Sequence, residues 1–257
     1  MTIWQHQFDD GVVTLTINNP PVNALSRAAV AELAEVLHAL DAHTTRAVVI
    51  TGFGEKAFVA GANIKEINAL SDIADARQFG QVVLALGQFM RVQPYPIIAA
   101  VNGVAFGGGC ELALMCDMRI ASTSAKLALP EITLGLMPGW GGSVRVARQA
   151  GASTALMMAL TGEPVHAVDA LRLGLVDKVV DATELMSTAH ALARRIASMA
   201  RPVVATIKAT IWNGVDMVLD DALATECETF ADIVIRANAK EGTDAFLNKR
   251  AAQWDNR

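Results

Sequence analysis

Two carboxylates and two stretches of small residues carry the chemistry this sequence can be expected to perform. Glu111 follows Gly107-Gly108-Gly109-Cys110, a glycine loop that reads as leaving a strand and opening a helix. Glu131 stands alone in the mostly apolar run Leu129-Pro130-Glu131-Ile132-Thr133-Leu134-Gly135. A carboxyl group taken partly out of water holds its proton more tightly, which suits proton donation near neutral pH. Glycines leave backbone N–H groups unobstructed and let a ligand approach the chain closely. Such groups at the start of a helix can hold an oxygen that gains negative charge. Ala60-Gly61-Ala62-Asn63-Ile64-Lys65 offers a second set of them, and Met137-Pro138-Gly139-Trp140-Gly141-Gly142 is a further glycine loop opening a helix.

Each feature has a plainer use when taken alone. Glu111 could simply complement the positive end of a helix, Glu131 could be salt-bridged, and the glycines could serve turns. Taken together, two sets of N–H groups could polarise a carbonyl oxygen while two carboxylates manage a water and a proton. That is equipment for chemistry alpha and beta to a thioester carbonyl. The glycine loop is not a phosphate loop, because the G-x-x-x-x-G-K-[ST] order is missing, and it matches G-x-G-x-x-G poorly. Without C-x-x-C or H-E-x-x-H, no metal is expected.

These residues need a scaffold, and the hydrophobic pattern predicts one. Val12–Ile17 alternates as a half-buried strand does, and Ala47–Thr51, Ile97–Val101 and Met118–Ala121 read as further strands. From Ser26, a good N-cap, Val30, Leu33, Ala34, Leu37 and Leu40 recur at helical spacing. Strands alternating with helices over the first two-thirds predict an α/β fold of crossover units. After about residue 182 the pattern is helical only. Leu185, Ala189, Leu192, Ile196 and Met199 form one stripe, Pro202 restarts a helix that ends near Gly214, and 215–235 reads as a longer one. The expected division is a core over 1–200 and a helical region over 201–257.

Composition limits the partners. The 257 residues are 53% hydrophobic and 18% charged, enough for a sizeable core. With 21 basic and 26 acidic side chains, the net charge of −5 gives no reason to hold nucleic acid or an anionic membrane. No apolar run reaches the ~18 residues of a membrane span. The first residues lack the basic and apolar regions of a secretory signal. Three cysteines, an odd and sparse set, fit a reducing cytoplasm.

Four stretches, with a C-terminal fifth, resemble the enoyl-CoA hydratase/isomerase (crotonase) family in order and spacing. They are FVAGANIKE at 58–66, AVNGVAFGGGCELALMCD at 100–117, LALPEITLGLMPGWGG at 127–142, LTGEPVHAVDALRLGLVDKVV at 160–180 and EGTDAFLNKR at 241–250. The resemblance implies a spiral of β-β-α units with a helical C-terminal trimerisation region. It implies reversible syn hydration of a trans-2-enoyl-CoA to a 3-hydroxyacyl-CoA, with Glu111 and Glu131 as the acid–base pair. Backbone N–H groups of Ala62 and Gly108 would form the oxyanion hole, and Gly139 would line the site beside the catalytic water. Val22, Ala60, Asn63, Ile64 and Lys65 would run along coenzyme A. Phe246 and Lys249 would help close its adenine-phosphate end, often from a neighbouring subunit. Coenzyme A would enter only as the substrate's handle, with no separate cofactor, and the assembly would be a homotrimer or homohexamer.

Two positions depart from the family pattern. Asn63 stands where the family usually has Asp, which removes a charge from the coenzyme A loop. Trp140 stands where a small residue is common; its indole could wall the acyl pocket or pack against the helical region. Double-bond isomerisation, or hydrolysis or decarboxylation of an acyl-CoA, is the alternative chemistry. Isomerases of this fold typically keep a carboxylate at only one of the two positions. An acyl-CoA-binding protein without catalysis would be expected to lose one or both.

Overall fold

The structure is a computed structural model and describes residues 2–256. The chain opens with an antiparallel hairpin of β1 (Trp4–Asp9) and β2 (Val12–Ile17), turned through Asp10 and Gly11, both at positive φ. Helix α1 (Arg27–Ala39) follows. The Ser26 hydroxyl accepts the Ala29 N–H at 3.1 Å, and Ala29, Val30, Leu33 and Leu37 face the core.

From here each pass of the chain adds a strand to a large sheet, a short strand to a small sheet, and then a helix or helical turn. The first pass is β3 (Ala47–Gly52) and β4 (Ala57–Val59), then α2 (Ile64–Asn68) and α3 (Ile73–Val92). The second is β5 (Ile97–Val101), β6 (Val104–Phe106) and α4 (Gly108–Met115). The third is β7 (Met118–Ser122), β8 (Lys126–Ala128) and a 3-10 turn over Pro130–Leu134, followed by α5 (Gly142–Ala150) and α6 (Ala152–Thr161). Then β9 (Val165–His166), α7 (Ala167–Arg172) and β10 (Lys178–Val180) complete both sheets. The large sheet has the order β1-β2-β3-β5-β7-β10 and the small one β4-β6-β8-β9.

The continuous apolar runs explain the large sheet. A strand covered on both faces must be apolar at every position. Val48, Ile50, Ile97 and Ala99 face the main core, while Ala47, Val49, Ile98 and Ala100 face a second cluster. Helix α8 (Leu185–Ala197) covers that second face with Leu185, Ala189 and Ala193.

Three helices complete the chain: α9 (Arg201–Gly214), α10 (Leu219–Val234) and α11 (Ala237–Leu247). Helix α10 starts later than its apolar pattern predicts, because Val215 caps α9 and Val218 is extended. Lys208 ties α9 to the core, its ammonium donating to Met90 O, Tyr95 O and Asp117 Oδ2 at 3.0, 3.0 and 2.8 Å. Among the described residues no helix is long and apolar enough to cross a membrane.

Candidate active site

The small sheet brings the distant segments together. Strands β4, β6 and β8 are parallel, with Val59 opposite Ala105 and Phe106 opposite Ala128. The chain therefore leaves all three at the same edge, and Ala62, Gly108 and Glu131 each lie within three residues of a strand end.

Ala62 forms a parallel bridge with Leu25 that uses the Gly61 carbonyl and the Asn63 N–H, both at 2.8 Å. In that geometry the Ala62 N–H points away from Leu25. Gly108 is the first residue of α4, so its N–H has no partner within the helix. The two groups are close: a Cβ built on Gly108 would lie 3.4 Å from Ala62 N. A Cβ on Gly109 would fall 1.9 Å from Val59 O, so only glycine lets α4 start against β4.

Glu111 occupies the first turn of α4 and is 2% exposed. Its Oε1 accepts the Trp140 N–H at 2.7 Å and the Gly142 N–H at 2.8 Å. The loop that opens α5 thus clasps one oxygen of this carboxylate. Glu131 is half-buried in the 3-10 turn and lies against the other glycine loop. A Cβ built on Gly107 would be 2.9 Å from its Oε1. Its Oε2 is buried and has no hydrogen-bond partner among the described residues. Burial pushes Glu111 up to about 7; the two N–H donors oppose this, the Glu131 charge reinforces it, and Arg145 opposes it. Burial also raises Glu131, with weaker opposition from its own backbone N–H. Two carboxylates with raised pKa values beside two neighbouring backbone N–H groups can exchange protons with a substrate whose carbonyl oxygen is held.

Trp140 is 8% exposed and forms a tilted contact with Phe79 of α3, with ring centroids 5.4 Å apart. Its six-membered ring also covers Gly108, since a Cβ there would be 2.4 Å from Trp140 Cζ3. The indole therefore packs on α3 and the α4 loop, and the expected packing against the helical region is corrected to this contact. Gly139 is open, with nothing within 4 Å of a built Cβ. The Asn63 side chain caps α2, accepting the Lys65 N–H at 3.1 Å. Val22 and Ala60 are joined by an N–H to carbonyl bond of 3.1 Å, and Val22, Ile64 and Lys65 are exposed beside them. Phe246 lies in the last turn of α11 and is 83% exposed, and Lys249 follows the helix.

Two contributors were not legible in the sequence. Phe79 belongs to α3, which the apolar pattern did not predict. Arg145 carries no motif of its own; its only signal is its position one helical turn after Gly141.

Known proteins resemble this chain in sequence and in fold. The family model described as enoyl-CoA hydratase/isomerase matches residues 7–257. A short-chain-enoyl-CoA hydratase of Clostridium acetobutylicum is 40% identical, over 93% of this chain and 92% of the relative. A crotonyl-CoA hydratase of Syntrophomonas wolfei is 38% identical, over 96% and 95%. The crystal structure of an enoyl-CoA hydratase from Bacillus anthracis superposes with a TM-score of 0.93 at 35% identity, covering 99% of this chain and 100% of that one. On sequence and fold alike, this chain belongs to the enoyl-CoA hydratase/isomerase family.

Proposed function

We propose that this protein catalyses the reversible syn addition of water to a trans-2-enoyl-CoA, giving a 3-hydroxyacyl-CoA. The observation that carries this is that Glu111, held by the Trp140 and Gly142 N–H groups, and Glu131, lying against Gly107, flank the loop where Gly108 comes close to Ala62. The two N–H groups hold the thioester oxygen and bind it more strongly as it gains enolate character. Glu111, one oxygen fixed by two N–H groups, takes a proton from the attacking water through the other. The water oxygen bonds to the β-carbon, and the neutral Glu131 gives its proton to the α-carbon. Glu111 is left protonated and Glu131 ionised, and proton exchange between them restores the start. The names of the two curated relatives support the same chemistry. Retention of both carboxylates favours hydration over isomerisation, over hydrolysis or decarboxylation, and over binding without turnover. A panel of enoyl-CoA thioesters with product analysis tests this: 3-hydroxyacyl-CoA is expected, and a shifted double bond or a free acid as the main product would overturn it.

No metal or redox group takes part in this scheme. Coenzyme A lies along Val22, Ala60, Asn63, Ile64 and Lys65, and Asn63 meets it through the backbone because its side chain caps α2. Gly139 and Trp140 border the acyl end. Replacing Trp140 by Ala should shift kcat/KM toward longer or bulkier chains; a uniform loss across the panel, with lowered Tm, would instead assign the indole to packing alone.

The assembly is a trimer, or a hexamer made of two trimers, built through residues 201–257. Support comes from α10, which buries no residue within its own chain while Leu219, Leu223 and Phe230 are 69%, 52% and 65% exposed. Phe246 and Lys249 then reach coenzyme A from a neighbouring subunit. Light scattering at micromolar concentration should give a trimer or larger, and a monomer would refute this. The three unpaired cysteines support a cytoplasmic location.

A further inference from the structure

Arg145, on α5, stands out because its arginine neighbours have acidic partners. Arg91 pairs with Asp216 at 2.6 Å and Arg119 with Asp177 at 3.6 Å. Among the described residues, no carboxylate pairs with the Arg145 guanidinium. Its side chain instead runs through a slot between two glycines from different elements. Nε is 3.1 Å from a Cβ built on Gly141, and Nη2 is 3.2 Å from one built on Gly87 of α3. A methyl group at either position would press on the guanidinium. The backbone N–H of Arg145 donates to Gly141 O at 2.8 Å, the first bond of the helix, which places the side chain one turn from Gly141. Gly141 sits at φ 105 between Trp140 and Gly142, whose N–H groups both hold Glu111 Oε1. One residue thus buttresses the turn that grips Glu111 and brings an unspent positive charge up behind it.

We propose that Arg145 is a positioning residue for Glu111, fixing the turn that holds Oε1 and keeping that carboxylate charged inside the core. The inference rests on Glu111 acting as the base in the hydration described above. Glu111 is faced by Glu131 from the 3-10 turn and by Arg145 from α5, with the Cys110 thiol beside it on α4. Arg145 in turn faces Arg91 of α3, Cys116 at the C-terminal end of α4, Glu111 of α4 and Arg119 of β7. Burial and Arg91 draw the Arg145 guanidinium down from its ordinary value, yet arginine remains charged at neutral pH. Of the charged groups facing Glu111, Arg145 alone opposes its protonation. Without that charge the carboxylate anion loses support, so Glu111 should keep its proton to higher pH.

The test reads Glu111 directly. Protein labelled with 13C at the glutamate carboxyl carbons is titrated by NMR, and the Glu111 signal is assigned by its loss in Glu111→Gln. In Arg145→Met the Glu111 midpoint should rise by about one pH unit. The acid limb of kcat/KM for crotonyl-CoA should move with it. Activity below the limb then falls about tenfold and recovers toward wild type at high pH. Arg145→Lys, which keeps the charge, should restore most of the midpoint. If the methionine variant fails to fold, Arg145→Gln carries the same measurement. An unmoved Glu111 midpoint in a folded neutral variant, or an equal shift in the lysine variant, would overturn the proposal. A shifted midpoint in a protein whose Glu111→Gln variant hydrates normally would leave Arg145 in this role and remove Glu111 from the reaction.

Discussion

Glu111→Gln and Glu131→Gln are each expected to lower kcat for crotonyl-CoA by about 10² or more, the range for loss of an acid–base group. Glutamine keeps the shape and the oxygen that accepts the Trp140 and Gly142 N–H groups, so the turn should survive. What it loses is the capacity to take or give a proton. KM should change far less than kcat, because neither carboxylate is needed to hold coenzyme A. Both residues serve the same addition step, so the double variant should lose less than the product of the single effects. Steady-state kinetics on all three variants decide the matter. Hydration at near the wild-type rate by either single variant would remove that residue from the mechanism.

Gly108→Pro should cost about 10² to 10³ in kcat, the effect of losing one oxyanion donor, or about 3 to 4 kcal/mol. Proline has no N–H, and the first residue of a helix is where its fixed φ is best tolerated. The structure shows how the comparison must be arranged. Any Cβ at this position lands 2.4 Å from Trp140 Cζ3, so alanine in the wild-type background is also expected to be damaging. The decisive pair is therefore Gly108→Ala and Gly108→Pro, each combined with Trp140→Ala. With the indole gone, alanine should recover much of the activity of Trp140→Ala alone, while proline should stay 10² to 10³ lower. Folding and assembly of each variant are checked by circular dichroism and light scattering. Equal kcat for the alanine and proline combinations would place the thioester oxygen elsewhere.

Four strands of the large sheet, β2, β3, β5 and β7, were legible because alternating or continuous apolar runs such as Ile97–Val101 are long enough to carry a pattern. The small sheet was not. Ala57–Val59, Val104–Phe106 and Lys126–Ala128 have three residues each, too few to show any period. Strand β1 was hidden by its polar composition, with all but Trp4 exposed, although Asp10-Gly11 is a strong hairpin signal. Helix α3 was obscured by Gly80 and Gly87 within its length and by its exposed apolar residues Val82 and Leu84. In the site, the loops and both glutamates could be read from glycine and carboxylate placement. The partners of Glu111 could not, because Trp140 and Gly142 hold it through backbone atoms that any residue other than proline could supply. The indole over Gly108 likewise depends on how three loops meet in space.

The parallel part of the small sheet has a consequence for how this sequence can diverge. Its strands are short and their pairing fixes the edge from which the three loops depart. One residue inserted within β6 would turn its side chains to the opposite face and carry Gly108 away from Ala62. One residue inserted after Asn63 would leave that pairing untouched. Length changes should therefore be purged inside β4, β6 and β8 and tolerated beyond the loops. Each loop is anchored by its own strand, so a single one can be rewritten while the others keep their places. A lineage can then exchange one carboxylate, or reshape the wall formed by Trp140, through a local change in one gene segment, and reach a different reaction on the same thioester without rebuilding the scaffold.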